Sequence, residues 1–140
     1  MKFIYLIIVV FLLSSCIDRG DCTDLSQRIE NKSNYEVTIT SYYPSYNPKQ
    51  VEFSKKITLK KNGEIKEEGK SCPPSYLELT FATLVGGDSI VIDYGDRIKS
   101  YGGRVIDNYL RNPYRLDSEN KSNNFVYTLT PEDYANAKLK

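Results

Sequence analysis

The sequence contains no histidine among its 140 residues. This absence excludes the Ser-His-Asp and Cys-His mechanisms of nucleophilic catalysis and every metal site that uses imidazole ligands. An excess of charge is also missing, because 19 basic residues are balanced by 18 acidic ones. A chain without a basic surplus lacks the electrostatic signature of nucleic-acid binding. We therefore expect no nucleic-acid partner.

A hydrophobic run long enough to span a membrane is absent as well. The N-terminal apolar run, Phe3–Leu13, follows the single charge of Lys2 and covers eleven residues. As a helix it would rise about 16 Å, roughly half of the ~30 Å hydrocarbon thickness of a bilayer. A positive charge followed by a short apolar run is typical of a secretory signal peptide. We therefore expect residues 1–15 to be a signal peptide.

The apolar run ends in Leu13-Ser14-Ser15-Cys16, which resembles the lipobox of bacterial lipoproteins. In that family a branched apolar residue and two small residues precede a cysteine that is acylated, and a dedicated peptidase cleaves before this cysteine. The resemblance implies that Cys16 becomes a lipidated N-terminus, with palmitate-type chains that hold the protein at a membrane. Several acyl chains, at about 0.8 kcal/mol per buried methylene, give near-permanent anchoring. The alternative is an ordinary signal peptide in which Cys16 has no role.

The cysteine count changes once Cys16 is acylated. Cys22 and Cys72 then remain in an oxidising compartment, and a disulfide between them is the simplest account of this even number. The alternative is two buried free thiols. Two cysteines without histidine cannot form an ordinary structural zinc site, so we expect no metal and no other cofactor.

Alternating apolar and polar residues predict the strands. Tyr35–Thr40 alternates strictly, and Phe125–Leu129 places Phe125, Tyr127 and Leu129 on one face. In the strand that begins at Val51, the lysine run is expected to form a solvated face or to guard a sheet edge. Further strands are expected over Leu25–Glu30, Val51–Lys61, Glu64–Glu68, Tyr76–Val85, Asp88–Tyr94 and Arg97–Tyr101.

Turn signals connect these strands. Asn62-Gly63 predicts a β-hairpin with a type I′ turn. The turns at Gly86-Gly87 and Gly95-Asp96 predict a three-stranded antiparallel meander, and the irregular Arg104–Asn124 segment is expected to connect the sheets. Thr130-Pro131 begins a short C-terminal helix over residues 131–138.

About seven to eight short strands joined by Gly, Asn and Pro turns predict an all-β fold. We expect an antiparallel β-sandwich with immunoglobulin-like or transthyretin-like topology and a short C-terminal helix. The predicted organisation is a lipidated cysteine and tether over residues 16–24 and a single sandwich domain over residues 25–140.

Three tyrosines form a candidate binding loop. Tyr42, Tyr43 and Tyr46 lie in Ser41–Gln50, which contains two prolines and is expected to be a loop. Tyrosine offers a large contact area with few rotatable bonds, which suits stacking on a sugar ring or a peptide. The same side chains would equally cover the edge of the core.

Two further patterns in the sequence are candidate sites. Asp88-Ser89-Ile90 resembles the Asp-Ser/Thr-apolar acceptor motif for O-linked glycans on exported Bacteroidota proteins, with Ser89 as the modified residue. Asp88, Asp93, Asp96 and Asp107 are close in sequence, but Asp88 and Asp96 are typical of tight turns. We therefore expect no catalytic carboxylate pair and no calcium site.

The mature chain as a whole resembles small Bacteroidota-type lipoproteins. The resemblance rests on the lipobox, on Ile29–Asn31 ahead of Tyr35–Ile39, on Asp88–Ile92, and on the closing Tyr127–Tyr134. It implies a location in the cell envelope, at the outer or inner membrane, facing the periplasm or the cell surface. We expect a non-enzymatic structural or binding role with an envelope protein or glycan as partner. The alternative is an envelope inhibitor or immunity protein that blocks a toxin or hydrolase.

Overall fold

A computed structural model describes residues 20–44, 51–74, 76–102, 111–120 and 122–140, which form a β-sandwich with three short helices. The predicted all-β sandwich is confirmed. In chain order the elements are β1 (Thr23–Asn31), β2 (Val37–Pro44), β3 (Val51–Leu59), β4 (Glu64–Ser71), α1 (Phe81–Val85), β5 (Ser89–Asp93), β6 (Arg97–Gly102), α2 (Pro113–Glu119), β7 (Asn124–Leu129), α3 (Pro131–Ala135) and β8 (Lys138–Leu139).

The strands form one sheet of three and one of five. The strand order is β4-β1-β7 in the first sheet and β3-β2-β5-β6-β8 in the second, so β3 is an edge strand, which is one of the two alternatives given for its lysine run. All neighbours are antiparallel except β1 and β7, which run in parallel. This pair is the one departure from the expected antiparallel arrangement. Between β6 in the second sheet and β7 in the first, the chain forms α2.

The core lies between the sheets and follows the alternation of the strands. Val37 and Ile39 are fully buried, whereas Thr38 and Thr40, which alternate with them, are half-buried on the outer face. The hydrophobic core consists of Ile29, Val37, Ile39, Ile57, Leu59, Phe81, Leu84, Val85, Ile90, Ile92, Tyr94, Tyr101, Phe125, Tyr127, Leu129 and Ala137.

The Asn62-Gly63 turn is not the predicted hairpin. The strands on its two sides belong to different sheets, because β3 pairs with β2 and β4 pairs with β1. Gly63 N–H donates to Lys60 O at 2.8 Å, so the central residues of the turn are Lys61 and Asn62. Of these two, only Asn62 has a positive φ, 59°, as in a type II turn rather than type I′. The backbone N–H of Asn31 donates to Gly63 O at 2.8 Å and attaches the turn to the end of β1.

Asn31 organises the end of the sandwich at which this turn lies. Its buried side-chain amide donates to Tyr35 O, Leu59 O and Lys60 O at 2.7–3.1 Å. Its Oδ1 accepts from the backbone N–H and the hydroxyl of Ser33. One buried side chain thus holds the β1–β2 and β3–β4 connections together.

The strand predicted over Tyr76–Val85 is wrong. Residues 76–80 have no regular structure, and α1 follows at Phe81–Val85. Thr80 and Thr83 form a reciprocal capping box, and Gly86 ends the helix in the left-handed region with φ 74°. The predicted meander therefore keeps only its second and third strands, β5 and β6, and β5 pairs with β2 on its other side.

The predicted loop Ser41–Gln50 begins later than expected. Its first four residues continue β2 as far as Pro44, with a bulge between Ser41 and Tyr42. Tyr42 pairs with Phe53 on one side and with Ser89 on the other. Pairing with a strand on each side keeps these residues extended, although their local composition favours a loop.

The C-terminal helix is shorter than predicted. Thr130 caps it in a capping box with Asp133, as expected, but α3 ends at Ala135 rather than at residue 138. Arg97 Nη1 donates to Ala135 O at 3.1 Å and to Ala137 O at 3.2 Å. These bonds hold the chain against β6, where Lys138–Leu139 adds the short strand β8.

Candidate functional site

One end of the sandwich, here called the Cys22 end, holds the disulfide between Cys22 and Cys72. The first strand begins directly after Cys22, at Thr23, two residues before the predicted domain boundary. Thr23 pairs with Ser71, the last residue of β4, so the disulfide closes the β1–β4 ladder. The predicted bridge between the two cysteines is confirmed. Gly20 lies against the ring of Pro73, so that a Cβ atom at Gly20 would be 2.8 Å from Pro73 Cγ.

An open groove of about 950 Å³ lies at the Cys22 end. Its walls come from the start of β1, the end of β4, the irregular segment 76–80, the start of α1 and the helix α2. Apolar and polar side chains both line it, among them Leu25, Tyr76, Leu77, Leu79, Tyr114, Gln27, Glu78, Asp88 and Asp117. A concave, mixed surface of this kind is the usual form of a binding site.

Gln27 and Asp117 fix the floor of the groove. Gln27 is buried, and its Nε2 donates to Leu79 O at 2.8 Å and to Asp117 Oδ1 at 3.2 Å. The other oxygen of Asp117 accepts from the backbone N–H of Phe81 at 2.5 Å, at the first residue of α1. A carboxylate on α2 therefore caps the start of α1 and joins two walls of the groove.

Gly69 allows the segment 76–80 to lie against β4. A Cβ atom at Gly69 would be only 2.6 Å from Leu77 Cδ2 and 3.6 Å from Leu79 Cδ1. The two leucines thus use space that every other residue type would fill. Leu77 remains 44% exposed.

Tyr114 links the groove to the second sheet. Its ring packs edge-on against Phe81 with 5.1 Å between the ring centroids, and its hydroxyl donates to Gly87 O at 3.3 Å. Burial raises the pKa of the Tyr114 hydroxyl, and the charge of Asp88 raises it further. Tyr114 therefore stays protonated at physiological pH and acts as a hydrogen-bond donor.

Exposed aromatic side chains surround this end. Gly87 contacts the backbone of Tyr42, and the next residue, Asp88, donates its N–H to Tyr42 O at 3.1 Å. This contact brings the end of β2 and the start of β3 close to the groove. Tyr43 is 49% exposed, Phe53 62% and Tyr76 73%. These three residues, together with Leu77, are called the aromatic rim below.

The predicted tyrosine site is only partly reproduced. Tyr42 and Tyr43 lie in the strand β2 rather than in a loop, and Tyr46 lies outside the described residues, as does Cys16. Ser89 is the half-buried first residue of β5, and its hydroxyl donates to Tyr42 O at 3.4 Å. Its O-glycosylation stays a prediction.

The aspartates that are close in sequence serve separate turns and contacts. Asp93 accepts from the Gly95 N–H and pairs with Lys140 at 2.7 Å, and the hydrogen bond from Lys140 lowers the pKa of Asp93. Asp96 accepts from the hydroxyl of Tyr134. Asp107 lies outside the described residues. Within the parts of the chain that are described, no three acidic or cysteine side chains come together as metal ligands.

The outer face of the three-stranded sheet has a different character. Its basic and acidic side chains alternate and form ion pairs, so the charges of this face offset one another. Arg28 pairs with Glu30 and Glu64, Lys32 with Glu30, Lys66 with Glu68, and Lys70 with Asp24. Exposed ion pairs of this type contribute little to stability and form a solvated surface. The groove and its rim are therefore the stronger candidate site.

Sequence reasoning missed Phe53, Tyr76 and the groove. Phe53 and Tyr76 fall in predicted strands, and the sequence pattern does not predict that they are exposed. The pair Pro73-Pro74 predicts that the sheet breaks after Cys72, but it does not predict that an irregular segment follows.

Comparison with known proteins finds no family model, no curated protein and no solved structure that matches this chain. Among the described residues, every helix is too short or too polar to cross a bilayer.

Proposed function

We propose that the protein is a lipoprotein of the bacterial cell envelope, anchored to the membrane through an acylated Cys16. The observation that carries this proposal is the order Leu13-Ser14-Ser15-Cys16 directly after a short apolar run. Removal of the first fifteen residues also removes Lys2, which leaves 18 basic and 18 acidic residues. A mature chain without net charge has no electrostatic attraction to anionic lipid, so the anchor itself supplies the membrane binding.

The disulfide supports this location. Disulfides persist in the periplasm and at cell surfaces and are rare in the cytosol. With Cys16 acylated, the disulfide between Cys22 and Cys72 uses the two other cysteines, and no free thiol remains. The two features are independent in the sequence, and both favour an envelope location.

The domain is proposed to have a non-enzymatic binding or structural role in which the groove and the aromatic rim form the contact surface. The partner is an envelope component. Asp117, a carboxylate in the groove, is engaged by Phe81 N–H and Gln27 Nε2, so its contacts are those of a structural cap. The large exposed side chains of the rim suit adhesion, because tyrosine and phenylalanine contribute contact area at low entropic cost.

Replacement of Cys16 tests the proposal. In a bacterial host that processes lipoproteins, Cys16→Ala should abolish incorporation of labelled palmitate and release the protein from the membrane fraction. Ser15→Ala is the matched control, because alanine is also a small residue and should preserve cleavage, labelling and membrane association. Continued membrane association of Cys16→Ala, or absence of label from the unaltered protein, would contradict the proposed anchor.

A further inference from the structure

Exposed large apolar side chains concentrate at the Cys22 end. Among the described residues, Tyr43, Phe53, Tyr76 and Leu77 all lie there and are 44–73% exposed. They come from three separate segments: the end of β2, the start of β3, and the stretch after Cys72. The ion-paired outer face of the three-stranded sheet offers no comparable cluster, since its exposed side chains are mainly charged. At the opposite end, Tyr35 and Leu139 are the exposed large apolar side chains among the described residues, at 41% and 68%.

The chain length before the domain limits how far this end can lie from a membrane. Cys22 follows Cys16 by six residues, and a fully extended chain spans about 3.5 Å per residue, or about 21 Å in total. Cys72 Cα is 4.3 Å from Cys22 Cα, and Tyr76 follows only four residues later. A lipid attached at Cys16 therefore keeps the aromatic rim within reach of the bilayer surface.

We propose that the aromatic rim is a membrane-contact surface that rests on the phospholipid interface beside the lipid anchor. This inference depends on the proposed anchoring through Cys16 and names the partner of the same site. Tyrosine is enriched at the headgroup level of membranes because its ring is apolar and its hydroxyl is polar. Phe53 and Leu77 provide purely apolar contacts for the boundary between headgroups and acyl chains.

Because the anchor holds the protein at the membrane, even a weak contact between the aromatic rim and lipid is sufficient to keep the rim on the bilayer surface. Once Cys16 is in the bilayer, contact between the rim and lipid becomes an intramolecular event at high effective concentration. The charges at this end favour a neutral lipid surface: Lys70 pairs with Asp24, while Glu52 and Glu78 are exposed. The contact is therefore expected on zwitterionic phospholipid.

The absence of tryptophan from the sequence permits a background-free test. Tyr76→Trp is introduced into the full acylated protein, which is reconstituted in phosphatidylcholine vesicles with or without bromine on the acyl chains. Leu139→Trp is the matched control: Leu139 is 68% exposed, close to the 73% of Tyr76, but β8 pairs with the opposite end of β6. Phe53→Trp reports from the second sheet.

The expected result is a blue shift and bromine quenching of the tryptophan at positions 76 and 53, with little change at position 139. Equal quenching at all three positions in vesicle-bound protein would overturn the membrane contact but not the anchor. Absence of quenching at position 76 or at position 53 in vesicle-bound protein would do the same. Protein that stays in the aqueous phase with an unmodified Cys16 would instead overturn the anchor, and the membrane contact with it. Mass analysis of the same samples separates these two failures.

Discussion

Opening the Cys22–Cys72 disulfide should remove a large part of the stability of the domain. The two cysteines are separated by 50 residues, and a cross-link of that span is worth about 4 kcal/mol in the chain-entropy account. Cys22 is exposed and Cys72 half-buried, so serine at both positions places no deeply buried polar group. The loss should therefore arise mainly from the greater freedom of the unfolded chain. A domain of this size loses about 4 °C of Tm per kcal/mol, which predicts a drop of about 15 °C.

Urea unfolding followed by far-ultraviolet circular dichroism provides the measurement. The double variant Cys22→Ser with Cys72→Ser and the unaltered protein in dithiothreitol should show the same loss, because both have the open chain. The urea dependence of unfolding should also steepen, since an open unfolded chain exposes more surface. A loss below about 1 kcal/mol for both would refute the reasoning, because the chain-entropy term would then be absent.

Two further substitutions test the fold and the groove. Asn31→Asp should cost about 3 kcal/mol or more in urea unfolding, because three carbonyls lose their donor and a charge is buried among them. The same change at exposed Asn34 should cost about 1 kcal/mol or less, and equal costs would contradict the role of the amide. Gly69→Val should cost about 1–3 kcal/mol and speed hydrogen exchange around Leu77, because the new side chain overlaps it. Lys66→Val on the outer face of the same strand should leave that exchange unchanged, and unchanged exchange in Gly69→Val would refute the contact.

The strands were predictable where burial follows strict alternation. Val37 and Ile39, or Phe125 and Tyr127, face the core because a period of two suits a strand with one buried face. The final strand was predicted from the same alternation, and the cap at Thr130 from the preference for threonine before a proline at a helix start. Local chemistry and tertiary packing agree at these positions.

The predictions failed where two local signals competed. Residues 76–85 alternate like a strand, yet Thr80 and Thr83 form a capping box and Gly86 supplies a left-handed C-cap. Asp117, distant in the sequence, adds a second acceptor at the start of this helix. Helix-terminal bonds and a remote carboxylate thus outweighed the pattern.

The pairing of the strands on either side of Asn62-Gly63 was the other wrong prediction. Asn62-Gly63 predicts a turn from its own backbone preferences, and a turn is present. Which strands pair is decided elsewhere: Ile65 lies opposite Ile29 in the first sheet, and Ile57 lies opposite Ile39 in the second. No local signal at the turn carries this information.

The candidate site was largely beyond sequence reasoning, because residues distant in the chain build it. Gln27 and Asp117 are 90 residues apart and meet on the groove floor. Gly69 is needed only because Leu77 crosses above it. The sequence did predict the disulfide beside the groove, since the cysteine count left few alternatives.

The central claim, that Cys16 anchors the protein, is tested most directly by mass spectrometry of the mature N-terminus. Protein is extracted with detergent from a bacterial host that processes lipoproteins and digested with protease, and the N-terminal peptide is identified. The account predicts a chain that begins at Cys16 and carries the mass of a lipid on that residue. A mature chain that begins at another residue, or an unmodified Cys16, would contradict it.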